Sequence, residues 1–277
     1  MSATLSGLEG EENGPRPATF RQLLSQRLGF DEFVSSQVWQ ASVTELIGTA
    51  VLVFFLDAIA MSASETDTST PNVLNAFISF ACIAIILHAT VPLSGGHLNP
   101  TVTFSSAIAG LISPIRAAIY INAQCFGAVI AAVALKTAVG HAVEEKFLLG
   151  GCTLRVPIQG PEGPMAVGVE TSQAMVLIQV AAVLGLLTFV SLTVTNKKGY
   201  SGASMNPAKC LGPALVHGGH LWDDLWVFWV GPAIASLVFY LYIKLAPRRH
   251  FSAEEFKYDL LTTVKALCSR NHQKSTI

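Results

Sequence analysis

Charge is scarce in this chain: 13% of its 277 residues are Asp, Glu, Lys or Arg, where soluble domains carry about a quarter. A water-facing globular surface along the whole length is thereby excluded. With a net charge of −1, the chain also lacks the basic excess that a nucleic acid or other polyanion would require. Cysteine is thin and irregular. Cys82, Cys125, Cys152, Cys210 and Cys268 are odd in number and widely scattered, with no CxxC pair, which speaks against a disulfide framework and against a zinc site. Cys82 and Cys125 lie in apolar runs and read as core filler, whereas Cys152 lies in a loop, free to cross-link subunits. His88, His97, His217 and His220 lack metal-ligand spacing, and no Ser, His and carboxylate set is placed to react. No catalytic residue, metal ligand or cofactor is assigned. At the N-terminus no short apolar core follows a basic stretch, so residues 1–37, with Glu9, Glu11 and Glu12, read as a cytosolic tail and not a cleaved signal. Within that tail Phe20, Leu23, Leu24 and Leu28 recur at helical spacing, which suits a short helix lying on the membrane or capping a bundle.

What the chain has is apolar length, with 51% of its residues hydrophobic. Four long runs stand out at about Trp39–Met61, Val73–Pro92, Pro114–Gly140 and Ala174–Val194, with a fifth at about Trp226–Tyr242. Each is long enough for a bilayer core, which takes about 20 residues. The last is edged by Trp222, Trp226, Tyr240 and Tyr242 as an aromatic belt. Lys244, Arg248, Arg249, Lys257 and Lys265 follow it, and positive charge marks the cytosolic side. The loop 62–72 carries Glu65 and Asp67 without Lys or Arg, as an outer loop would. Glu45 and Asp57 sit inside the first run. A carboxylate at membrane depth is costly and usually faces a partner, while Asp57, near the far end of its run, is expected simply to reach water.

Between the spans the chain repeats one phrase, Ser94-Gly95-Gly96-His97-Leu98-Asn99-Pro100-Thr101 and Ser201-Gly202-Ala203-Ser204-Met205-Asn206-Pro207-Ala208. A lone Asn-Pro is usually a turn. Here each Asn suits a helix N-cap and each Pro the first helical position, so each phrase launches a helix. From Asn99 to the break at Gly110–Pro114 there is room for about eleven helical residues, roughly 16 Å. That is about half of a hydrocarbon core of about 30 Å. A half-crossing helix is tolerable only where its broken backbone lines a watery cavity. Two such helices meeting tip to tip make a pore.

On these two phrases the chain resembles the aquaporin (major intrinsic protein) family, whose signature is a paired Asn-Pro-Ala. The finer resemblance is to the X intrinsic protein branch of plants and fungi, which has a variant first motif, here Asn99-Pro100-Thr101, and a Cys two places after the second, here Cys210. Gly150-Gly151-Cys152-Thr153 and Gly218-Gly219-His220-Leu221-Trp222 also look like that branch. The resemblance covers Ser42 to Tyr242. It implies an all-α polytopic membrane bundle with two re-entrant half-helices, and here about five full spans. The expected organisation is a cytosolic tail (1–37), a channel domain (38–245) and a cytosolic tail (246–277). Within the channel domain fall a first repeat (about 38–140), an extramembrane loop (141–172) and an incomplete second repeat (about 173–245).

The resemblance also assigns roles. Asn99 and Asn206 would offer amide N–H groups to a passing oxygen, and the half-helix N-termini would repel protons and cations. Glu45 would accept hydrogen bonds from a motif loop, and Gln124 and Gly127 fill the family's Ala-Gln-x-x-Gly arrangement. Counting from the motifs, the selectivity ring falls on Ser79, Val194, Ala203 and Lys209. Ser79 replaces a residue that is often aromatic, and Lys209 replaces an arginine, turning a planar donor fork into a mobile point charge. The alternative for Val194 is an ordinary lipid-facing valine. The implied function is passive passage of small uncharged solutes such as glycerol, urea, boric acid or hydrogen peroxide, with water secondary. Lipid bilayer and solute are the implied partners, with a homotetramer or a heterotetramer with related channels, and the plasma membrane is the implied location. One departure stands against this. Glu45 precedes Asn99 by 54 residues, and the position 54 before Asn206 is Cys152, in a stretch too polar for a membrane. About one helix of the second repeat, with its partner glutamate, is missing from the pattern. The alternative function is therefore a non-conducting subunit that joins full-length relatives and regulates them.

Overall fold

A computed structural model of the chain describes residues 20–65, 71–153, 155–160, 163–168 and 204–245. Eight α-helices are found among the described residues: α1 (Phe20–Leu28), α2 (Ser36–Glu65), α3 (Pro71–Ser94), α4 (Pro100–Ala109), α5 (Pro114–Ala138), α6 (His141–Phe147), α7 (Pro207–Val216) and α8 (Val227–Leu245). By length and apolarity, four segments among the described residues suit membrane crossing: Ser36–Ser62, Asn75–Ser94, Pro114–Ala138 and Gly219–Tyr242. They correspond to four of the five runs read from the sequence. The fifth, Ala174–Val194, lies outside the described residues, as do Val194 and Ala203 themselves.

Local chemistry sets the helix ends. Ser113 caps α5, its hydroxyl accepting the Arg116 N–H at 3.0 Å with Pro114 in the first turn. That cap is shared with the N-terminal segment, because Ser113 Oγ donates to Glu32 Oε2 at 2.6 Å and Arg116 Nε lies 3.0 Å from the same oxygen. The 3₁₀ turn Phe30–Val34, which carries Glu32, is thus fastened to the start of α5. The charged tail does not float free at this point.

Inside the bundle, α2 packs on α3 and most extensively on α5, α5 packs on α7, and α8 packs on α4. Two glycines make this possible. A Cβ at Gly127 would overlap the Leu46 carbonyl of α2, and one at Gly212 would overlap the Ala128 carbonyl of α5. Backbones therefore meet directly, the small-residue packing that replaces the hydrophobic effect in lipid. Val53, Ala128, Ala131 and Ala208 fill the seam, joining α2, α5 and α7. Gly127→Ala should push α2 and α5 apart, at a cost of about 1–3 kcal/mol. Thermal unfolding in detergent checks this, and a melting temperature equal to wild type would show that the seam can absorb a methyl group.

Two features differ from the sequence expectations. The loop after α5 is structured: α6 and a 3₁₀ turn (Leu148–Gly150) lead into an antiparallel hairpin of β1 (Arg155–Gly160) and β2 (Gly163–Gly168), in register from Arg155 with Gly168 to Gly160 with Gly163. The signal was in the sequence, where the turn-favouring residues Gly160-Pro161-Glu162-Gly163 separate alternating Val156 and Ile158 from Met165 and Val167. The cysteines also do more than spacing suggested. Cys152 and Cys210 form a disulfide, with Cα atoms 4.9 Å apart across 58 residues of sequence. Folding of the loop over the start of α7 brings together thiols that counting along the chain keeps apart.

Candidate functional site

The two half-helices α4 and α7 each begin at an Asn-Pro. Asn99 has an extended backbone and accepts the Thr101 N–H on Oδ1 at 2.8 Å, with Pro100 at the first helical position. Asn206 repeats this on the Ala208 N–H at 3.1 Å, with Pro207 following. The side-chain nitrogens then cross between loops: Asn99 Nδ2 donates to the Met205 carbonyl at 3.1 Å, and Asn206 Nδ2 donates to the Leu98 carbonyl at 2.9 Å. Thr101 Oγ1 donates to Met205 as well, at 3.1 Å. Each amide thus spends its oxygen on its own cap and one N–H on the opposite loop. An amide nitrogen carries two N–H groups, and among the described residues the second of each has no acceptor.

The Leu98 carbonyl reaches Asn206 because Leu98 adopts a left-handed backbone, φ 49°. For a branched side chain this costs about 1–3 kcal/mol and persists only where neighbours enforce it. Glu45 is the enforcer. Its Oε2 accepts the Leu98 N–H at 2.6 Å and Gln124 Nε2 at 2.8 Å, and its Oε1 accepts the His97 N–H at 3.0 Å and Ser94 Oγ at 2.6 Å. The carboxylate is 0% exposed. Gln124 also donates to Thr103 Oγ1 at 2.8 Å, and Tyr120 Oη donates to the Ser94 carbonyl at 3.1 Å. For the second loop no carboxylate plays this part among the described residues, and Ser204 Oγ accepts the Asn206 N–H at 3.4 Å instead.

The remaining candidates are distributed as follows. Ser79 lies on α3, half-buried, with its hydroxyl on Asn75 Oδ1 at 3.2 Å. Lys209, in the first turn of α7, is buried and forms an ion pair with Asp57 Oδ1 at 2.6 Å, while Nζ also donates to the Gly150 carbonyl at 3.1 Å. Asp57 therefore does not reach water: it is 0% exposed. Packing of α2 beside α7 and under the 3₁₀ turn encloses it, which its place along one helix could not reveal. Among the described residues no three His, Cys, Asp or Glu side chains cluster as a metal ion would require.

The loop above this pair is itself tied down. Glu144 on α6 accepts from Lys136 Nζ at 2.7 Å, with His217 Nδ1 at 3.4 Å and His141 Nδ1 at 3.7 Å. The hydrogen bond from Lys136 holds the Glu144 carboxyl below the usual carboxylate range, assisted by His217 and opposed by burial. A depressed carboxylate contributes stability that is complete above its unfolded value of about 4.3 and fades as pH falls from there to the folded value. Glu144→Gln should lower the melting temperature at about pH 5, and the loss should shrink as pH falls below about 4.3. A difference that grows as pH falls below about 4.3 would contradict this sign.

Spanning helices wrapped around two half-helices that meet at reciprocal amide contacts define a polytopic membrane channel. The chain belongs to the major intrinsic protein family, whose family model matches residues 32–242. It is similar to aquaporin TIP1-2 of Zea mays, 35% identical over 216 residues, covering 72% of this chain and 84% of the relative. Aquaporin PIP1-1 of Arabidopsis thaliana is 30% identical over 233 residues, covering 76% and 80%. The fold is shared with the aquaglyceroporin of Plasmodium falciparum, at a TM-score of 0.56 and 17% identity, over 76% of this chain and 96% of that one. The chain is an integral membrane channel protein for small solutes and not an enzyme.

Proposed function

We propose that this chain is a passive channel for small uncharged solutes such as glycerol, urea, boric acid or hydrogen peroxide, with water secondary. The observation that carries the reading is the junction, where Asn99 and Asn206 each keep one N–H free of any acceptor among the described residues. A solute hydroxyl or carbonyl accepts from both. Each half-helix N-terminus adds about half a positive charge, which repels cations. Pro100, Thr101, Pro207 and Ala208 shape the two first turns, and Ser79, Val194, Ala203 and Lys209 form the outer ring. A ring without an aromatic side chain favours solutes larger than water. Thr101, Cys210 and the loop Gly150–Thr153 support membership of the X intrinsic branch, and a tetramer at the plasma membrane belongs to the same reading.

The test is uptake by liposomes carrying only this chain. Glycerol flux well above empty liposomes is expected, and Asn206→Asp, which loses both the free N–H and the one given to the Leu98 carbonyl, should cut it by about tenfold. Ser79→Phe should depress glycerol more than water, and equal loss of both would remove Ser79 from the ring. A second reading is favoured by the sequence between the phrases, which has room for one apolar span where a complete repeat needs two. It makes the chain a non-conducting partner of complete relatives. Absence of flux from a folded, inserted chain that co-purifies with such a relative would decide for it.

A further inference from the structure

Lys209 is badly placed by elementary electrostatics. It stands in the first turn of a half-helix, where the macrodipole favours anions and disfavours a cation, and it is only 8% exposed. A buried ammonium of this kind needs a counter-charge. The structure supplies one from another element: Asp57 of α2, itself 0% exposed, whose Oδ1 lies 2.6 Å from Lys209 Nζ. Gly150 adds its carbonyl at 3.1 Å, and the fit there is close, since a Cβ on Gly150 would stand 2.9 Å from that of Asp57. The Cys152–Cys210 disulfide joins the residue after Lys209 to the loop that carries Gly150. Three elements thus converge on one ammonium group. Asp57 Oδ2 makes no hydrogen bond among the described residues and Oδ1 faces Lys209, so the carboxylate serves Lys209 alone.

We propose that Asp57 is a positioning residue for selectivity: it draws the Lys209 ammonium out of the solute path toward α2 and cancels its charge. This rests on the reading of Lys209 as a ring residue. Lysine has a flexible four-carbon stem and a strongly hydrated head. Held by Asp57, the stem lies against protein and leaves a wide, neutral mouth. Released, the head enters the path with its water, narrowing it for a polyol more than for a water molecule. Cation exclusion is left to the half-helix dipoles at the junction.

The experiment compares wild type, Asp57→Asn, Lys209→Met and the double variant in liposomes, and pairs flux with a chemical readout. A small water-soluble acylating reagent is applied and modification of Lys209 is followed by mass spectrometry, with Lys146 of α6, which is exposed, as internal reference. In wild type Lys209 is expected to stay unmodified while Lys146 reacts. Asp57→Asn should raise the Lys209 rate by about tenfold and lower glycerol flux about tenfold with a smaller loss of water flux. The double variant should conduct glycerol as Lys209→Met does, since without the ammonium there is nothing for Asp57 to hold. Equal acylation of Lys209 in wild type and Asp57→Asn would overturn the proposal, as would a glycerol loss from Asp57→Asn that is the same with and without the Lys209→Met change. Should Asp57→Asn fail to fold, the charge-swapped Asp57→Lys, Lys209→Asp chain takes its place, and glycerol flux below one tenth of wild type from that folded chain would count against the proposal. Protection of Lys209 lost in Asp57→Asn, with no glycerol flux in any chain, upholds the contact and rejects the solute reading instead.

Discussion

Glu45→Ala is expected to leave a chain that melts far below wild type and conducts nothing. The carboxylate accepts four hydrogen bonds, two of them from the backbone N–H groups of His97 and Leu98. Removing it strands buried donors, and each such donor costs about 1–3 kcal/mol. Glu45 is 0% exposed, so bulk solvent does not reach the site to replace the lost acceptor. The left-handed turn at Leu98 then has nothing to hold it, and the carbonyl that receives Asn206 turns away. A loss of at least about 3 kcal/mol follows, a large share of the total stability of a typical domain. Glu45→Gln should fall between, because it keeps one oxygen but sets an N–H₂ group against a backbone donor. Thermal unfolding and liposome flux measure both effects, and an Ala variant with wild-type melting and flux would sink the idea that this carboxylate holds the junction.

Loss of the disulfide should rank second. In the chain-entropy view, a bridge across 58 residues restricts the unfolded chain by about 4 kcal/mol. For a chain of this size, Cys152→Ser should therefore lower the melting temperature by about 10 °C. The two sulfur-bearing residues are both 1% exposed, so a reductant should reach the bond only after local opening. Thiol labelling with and without denaturant separates the two conditions. If Cys152→Ser and wild type melt together under non-reducing conditions, the bridge is not formed in the protein.

The parts of this molecule written in local chemistry were legible from sequence, and those written in tertiary contact were not. Asn99-Pro100 and Asn206-Pro207 declare themselves because cap and first turn lie within three residues of each other. The spanning runs are legible because the bilayer sets their length. Gln124 and Gly127 came from a short motif, though only the structure shows Gln124 bridging Glu45 and Thr103. By contrast, Cys152 and Cys210 carry no local sign of partnership, and Asp57 looks like a residue close to water until α7 and the Gly150 turn are laid beside it. The hairpin at 155–168 was readable, since its turn and alternation are both local.

The crossing of the two Asn side chains also sets an order of events. Asn99 needs the Met205 carbonyl and Asn206 needs the Leu98 carbonyl, contacts separated by 106 and 108 residues. During synthesis at about 5–20 residues per second, the first half-helix waits on the order of 5–20 s before its counterpart exists. Until then the Asn99 amide lacks the Met205 carbonyl that it meets in the folded chain, and an unmatched polar group at membrane depth costs several kcal/mol. The first half-helix is therefore completed only by the second half of the chain, whose arrival seals the joint.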